Sequence, residues 1–280
     1  MLGIALALAA SASWGISDFI GGLQTRRFSA LSVLIVSQPI GLVLAFAVAL
    51  TLGDRSLSLG DFLLAAVGGA TVVAALGAFY RAMALGSISV VATIGALGVL
   101  VPVVGGLISG EVPAPVQGLG AAIAIVAVLL VAREPDPEWR EANRGSIGLA
   151  ALAALGFGTF FLIIDRVAEQ DAAWTIAAAR VGGVALLAIA ALATNPAIPN
   201  PRGTALVALL TIGVFDVLAN SLYAVATQHG ILPLVAVAAS LYSAVTVLLA
   251  RFVLGERLAR PQQLGVAIAL CGVALIAVGS

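Results

Sequence analysis

Apolar blocks long enough to cross a membrane recur along almost the whole chain, separated by short breaks that hold charges or Pro and Gly. Cutting at those breaks gives ten segments, approximately 2–22, 30–52, 61–85, 88–109, 113–132, 147–167, 172–194, 204–227, 231–254 and 261–279. About 20 apolar residues at 1.5 Å rise match the ~30 Å hydrocarbon core of a bilayer, so each block predicts one helical crossing. The blocks do not alternate in short strands, which argues against a transmembrane barrel. One break stands apart. Residues 133–145 read REPDPEWREANRG and hold much of the chain's charge. They divide it into a first five-helix unit at 1–132, a linker at 133–146 and a second five-helix unit at 147–280.

Composition narrows the class further. Hydrophobic residues make up 62% of the chain and charged residues 9%, with a mean hydropathy of +1.18. Soluble domains carry about 25% charged residues, so this chain cannot cover a water-facing surface. Disorder is excluded by the same numbers. An all-α polytopic membrane protein remains. Net charge is zero, which removes the electrostatic case for nucleic acid. One Cys and one His supply neither a disulfide framework nor a protein-only zinc site, so no metal and no cofactor is expected. Cys271, inside an apolar run, is expected to pack as a small hydrophobe. The opening segment lacks a basic n-region and carries Trp14 and Asp18; it is read as a retained helix, not a signal peptide. The chain has no G-x-x-x-x-G-K-[ST] loop and hence no ATP motor. Asn195-Pro196-Ala197 spells a water-channel tripeptide, but it occurs once and in a Pro-rich loop.

The two halves match internally. Gly110-Glu111 closes the fourth segment and is followed by Gln117-Gly118-Leu119-Gly120; Gly255-Glu256 closes the ninth and is followed by Gln262-Gln263-Leu264-Gly265. At a similar offset Trp14-Gly15 falls on Phe157-Gly158, and Gln38 falls near Arg180. Five crossings per half is an odd number, so the second half enters from the opposite side. The predicted architecture is two inverted five-helix repeats with a substrate site between them near mid-membrane. All 13 basic residues are Arg. Arg26, Arg27, Arg133, Arg140, Arg144, Arg202, Arg257 and Arg260 share one face, against Arg55 and Arg166 on the other. The first face is therefore expected in the cytoplasm and both termini outside.

Ionisable groups at membrane depth are costly unless paired or wet. Asp216 lies near the middle of the eighth segment, and Arg180 differs from it in depth by only about 5 Å. They are expected either to form a structural pair or to line one aqueous cavity. Asn220 follows Asp216 by one helical turn, and Gln38, beside Ser37 and Pro39, takes the place of Arg180 in the first half. These four are the predicted cavity residues, with Trp14 and Tyr242 as wall residues. Phe79, Tyr80 and Tyr223 are further aromatic candidates, interfacial belting being the alternative for the two tyrosines. Asp18 and Arg81 sit at comparable depth and predict a structural pair. Asp216 is the first choice for a proton-coupling acid, Asp18 the second. Glu111 and Glu256 are expected to accept backbone N–H groups at the start of the next helix, and Arg251 to snorkel.

Residues 240–279, SLYSAVTVLLARFVLGERLARPQQLGVAIALCGVALIAVG, resemble the repeat ending of the EamA-like branch of the drug/metabolite transporter superfamily. There a long apolar helix ends in Gly-Glu-Arg-Leu, and Gln-x-x-Gly opens the last helix. Trp14-Gly15 is also similar, and the resemblance runs along the whole chain. Two positions depart from it: Gly98 and Ser243 stand where the family often has Pro, and Gln38 where it often has Arg. The resemblance implies a secondary active transporter, not an enzyme, that moves a small metabolite across the plasma (inner) membrane by alternating access. An amino-acid-like or other small organic solute is implied, with export as the expected direction. The expected partners are that solute and the lipid bilayer, the chain acting as a monomer. A passive channel or membrane scaffold is the alternative. An intramembrane enzyme fits least, since no nucleophile–base pair lies at membrane depth.

Overall fold

The computed structural model describes residues 1–54, 57–131, 144–196 and 200–255, together with 260–261, 264–265, 267–268, 271–272 and 275. The regular structure among these is helical. In chain order the helices are α1 (Leu2–Gln24), α2 (Ala30–Leu52), α3 (Leu59–Leu85), α4 (Ile88–Ala96), α5 (Leu100–Ile108), α6 (Pro115–Val131), α7 (Arg144–Ala168), α8 (Ala172–Thr194), α9 (Thr204–Thr227), α10 (Leu232–Ser240) and α11 (Tyr242–Leu254). Taking α4–α5 and α10–α11 each as one span, eight are long and apolar enough to cross a membrane, and α6 is a shorter apolar helix. Of the expected tenth span, the described residues are helical, and Gly272 sits against Gly120 and Ala124 of α6. Glu256 and most of the linker lie outside the described residues.

Lipid and core have opposite demands here, and the side chains follow them. Leu192, Ile108 and Phe252 are 86%, 81% and 78% exposed, an arrangement suited to hydrocarbon rather than water. The interior holds Ala and Gly with buried Ser and Thr, whose hydroxyls bond back to helix carbonyls. Thr93 donates to the Ser89 carbonyl at 2.8 Å and Thr175 to that of Asp171 at 2.6 Å, which satisfies these hydroxyls inside the bundle. Cys271 is exposed and does not pack in the core as expected.

Two expected straight spans are broken. The fourth stops at Ala96, passes through a 3-10 turn at Leu97–Val99 and resumes as α5; the ninth breaks at Leu241. Gly98 lies in the first break, and a Cβ there would stand 2.3 Å from the Ala154 carbonyl oxygen of α7. Ser243 lies just after the second. A helix-breaking preference therefore survives at the two places where the family pattern carries Pro. Both repeats also close their fourth helix through a left-handed glycine, Gly110 at φ 90° and Gly255 at φ 69°. That conformation explains why Gly precedes Glu in each copy.

The close packing runs between the halves. α1 lies along α9 and α11, while α7 lies along α3 and the α4–α5 span; α2 crosses α8. Exchanging the repeats turns the first pairing into the second. Where α3 meets α8 the backbones touch: a Cβ on Gly69 would stand 1.7 Å from the Ala179 oxygen, and one on Gly182 1.8 Å from the Ala66 oxygen. Small residues permit this approach. It brings the middle of α8, with Arg180, against the first repeat.

Candidate functional site

Arg180 points from α8 into the bundle and is 6% exposed. Its Nη1 donates to Asp216 Oδ2 of α9 at 2.7 Å and to Gln38 Oε1 of α2 at 2.5 Å. Gln38 Nε2 in turn donates to Asp216 Oδ2 at 3.2 Å. Asn220 Nδ2, one turn along α9, donates to Asp216 Oδ1 at 3.1 Å and to the Asp216 carbonyl at 2.6 Å. Four residues from three helices and both halves thus form one closed network. The network satisfies both oxygens of the carboxylate, which a buried ion pair requires if it is to be tolerated. Of the two arrangements left open by the sequence, the structure makes the pair, and its members border two adjoining cavities, Asp216 the first and Arg180 the second.

The cavity beside the network, partly open to its surroundings, spans about 330 Å³ between atoms. Asp216 and Asn220 form its polar side together with Asp18, and Trp14, Tyr242, Phe157, Phe160 and Phe161 form its aromatic wall. Trp14 stacks at 5.3 Å from Phe161, 5.7 Å from Tyr223 and 6.4 Å from Tyr242. The three phenylalanines were not among the predicted site residues. Their spacing on α7, i, i+3 and i+4, marks one helix face and was the available signal. A second cavity of about 270 Å³ adjoins the first at Val72, Phe160 and Asn220 and is bordered by Gln38 and Arg180. From there Ile176 leads to a third, of about 780 Å³, between the C-terminal end of α2 and the N-terminal end of α8. Asp54, Gln170, Asp171 and Gln228 surround that last space. These cavities thus share lining residues in series from the network to the end of the bundle that carries Asp54 and Asp171. At the opposite end α1 is packed shut, with Gly22 against Met83 and Ile88.

Several expected contacts are not made. Asp18 is buried whereas Arg81 is exposed, and no ion pair joins them among the described residues. Arg81 leaves the helix bundle on the outside of α3, and Asp18 turns inward. Tyr80 and Tyr223 are 1% and 0% exposed, so neither belongs to an interfacial belt. Pro39 lies on the exposed side of α2 and does not border the cavity. Arg251 is exposed, as expected of a snorkelling side chain. Glu111 does cap a helix, but not the next one: its Oε2 accepts from Leu232 N at 2.7 Å, at the start of α10 in the other half. The start of α6 is instead served by Gln117, whose Oε1 accepts from Ala114 N at 3.0 Å. Asn195, from the water-channel tripeptide, ends α8 in a left-handed conformation at φ 41°. Its role there is a turn.

The arrangement has counterparts. One solved crystal structure, 16% identical in sequence, superposes with a TM-score of 0.77 over 99% of this chain and 96% of its own. That likeness shows the fold. No curated protein matches the sequence. The sequence profile of the EamA-like transporter family matches twice, over residues 1–133 and 144–278, which together take in nearly the whole chain. Two repeats of apolar helices, spans broken at corresponding places and a polar network between the halves lead to the same conclusion as that double match. The chain is a multi-pass membrane protein of the EamA-like transporter family, within the drug/metabolite transporter superfamily.

Proposed function

We propose that the protein is a secondary active transporter that carries a small organic solute through the space between two inverted five-helix repeats. The observation that supports this reading is the Gln38–Arg180–Asp216–Asn220 network. It joins both halves at mid-span and borders the first of a series of cavities that reaches the Asp54 and Asp171 end of the bundle. Alternating access requires a central site with contacts to both repeats and one closed side at a time. The packed end of α1 serves as the closed side in the present conformation, and the cavities toward Asp54 as the open one. On the loop-Arg assignment, the open face is extracellular. Multi-pass insertion in the plasma membrane, export of the solute and action as a monomer complete the reading.

Within the site, Arg180 and Asp216 hold the two halves in register, and Gln38 and Asn220 fix their geometry. Of the two candidate coupling acids, Asp216 is engaged on both carboxylate oxygens by Arg180, Gln38 and Asn220, and we assign the proton-coupling role to Asp18. Counterflow in proteoliposomes against a panel of metabolites tests the reading. Saturable exchange of at least one panel member, lost in Arg180→Ala, is expected. Non-saturable flux would instead indicate a channel, and no flux of any solute would leave a scaffold.

A further inference from the structure

The central cavity has a surplus of negative charge. Among the described residues Arg180 is the one buried cation, and Asp216 neutralises it at 2.7 Å. Asp18 lines the same space at 6% exposure, and among the described residues its carboxylate has neither an ion-pair partner nor a hydrogen-bond donor. The ionisable groups near it bring no positive charge: Asp216 from α9 and the phenols of Tyr80 from α3 and Tyr242 from α11. An isolated carboxylate away from water must take up a proton or a cation.

The cavity has a surplus of acceptors as well. Asn220 uses both of its N–H groups' reach on Asp216, which fixes the amide orientation and leaves Oδ1 buried without a partner. The Tyr242 hydroxyl, which can accept as well as donate, is also buried without a partner. Among the described residues no guanidinium or amide N–H lining this cavity is buried without a partner. The remaining wall is aromatic, with the Trp14, Phe161 and Tyr242 rings within 6.4 Å of one another, and ring faces attract cations. A carboxylate-bearing solute meets the reverse situation, since Asp216 already neutralises Arg180 and shares its Nη1 with Gln38.

We propose that this site binds an organic ammonium ion, a protonated primary or secondary amine with an apolar body. Asp18 is its counter-charge, Asn220 Oδ1 and the Tyr242 hydroxyl accept its N–H groups, and the aromatic wall covers its body. In its absence a proton occupies Asp18, so amine and proton exclude each other there. Asp54 and Asp171 at the outer cavity suit the attraction of the same charge. The proposal narrows the solute class of the transport reading and rests on that reading for the identity of the site.

The test is equilibrium binding to the full chain in nanodiscs with probes that differ in charge alone: 2-phenylethylammonium, 2-phenylethanol and phenylacetate, with hexylammonium as a second amine. The ammonium probes are expected to bind roughly 30-fold or more tighter than the alcohol, and phenylacetate not at all. On acidification amine affinity is expected to fall toward tenfold per pH unit, the limit for displacing one proton. Asp18→Asn should bring the ammonium down to the affinity of the alcohol and remove the pH dependence, whereas Asp18→Glu should keep the preference. Equal binding of the alcohol or of phenylacetate, or binding of none of the probes, overturns the proposal; neither result needs a folded variant. An unchanged ammonium preference in Asp18→Asn overturns it too. Amine binding without counterflow of the same amine would remove the transport reading and leave this one standing. Counterflow of an anionic solute without amine binding would do the opposite.

Discussion

Gln38 and Arg180 occupy matching places in the two repeats, and they touch, Arg180 Nη1 donating to Gln38 Oε1 at 2.5 Å. Residues related by a two-fold pseudo-symmetry meet only near its axis. The pair therefore sits where the two halves meet, and Asp216 joins them there from α9. Unequal residues at an equivalent place make one site with one cation, where two arginines would repel.

That pairing makes Arg180 the most sensitive position in the network. Arg180→Ala leaves Asp216 buried without its cation, at a cost of roughly 3–5 kcal/mol. Thermal unfolding in detergent should show the loss, and counterflow should be abolished. The double replacement Arg180→Leu with Asp216→Leu should recover much of the stability and none of the transport. Normal stability and transport in Arg180→Ala would show that the central site is elsewhere.

Glu111 links the halves at another level, through the α10 N-terminus. Removing the acceptor in Glu111→Ala should lower stability by about 1 kcal/mol, the usual size of a lost cap. Glu111→Gln retains an acceptor oxygen and should lose less. Melting temperatures of the three proteins under one detergent condition decide the matter, and equal values for wild type and the Ala variant would contradict it.

The contact of α3 with α8 leaves no room for a side chain. Gly69→Leu or Gly182→Leu must push a backbone carbonyl away, and overpacking of this kind costs about 1–3 kcal/mol or more. The expected outcome is poor folding yield with a lowered melting temperature. Gly118→Leu, with nothing within 4 Å of its Cβ position, is the control and should be tolerated.

Membrane orientation can be read by cysteine labelling after Cys271→Ser removes the native thiol. Cysteines placed in 53–58 should react with an impermeant reagent in intact cells, and those in 133–145 only after permeabilisation. Labelling of the linker in sealed cells would invert the assignment and leave the repeat architecture untouched.

Crossing length, helical class and the doubling of the chain were legible in the sequence, because lipid imposes one demand on every span and the demand is compositional. Gly110-Glu111 and Gly255-Glu256 were legible as a repeated pair for a local reason, a left-handed turn that favours Gly. The depth of Arg180 and Asp216 followed from counting residues at 1.5 Å each. Direction around the helix did not. Asp18 and Arg81 share a depth, but only the packing of α1 against α9 and α11, and of α3 against α7 and α8, turns one inward and the other outward. Glu111 illustrates the same limit at a helix end: a carboxylate in a turn will cap some N-terminus, and tertiary structure chose α10 rather than α6. The closeness of span four to α7 is likewise tertiary: the Ala154 carbonyl leaves no room for a Cβ at Gly98. Depth and composition act along one helix at a time, and a sequence displays them; rotation and the choice of partner arise between helices, and only the folded bundle sets them.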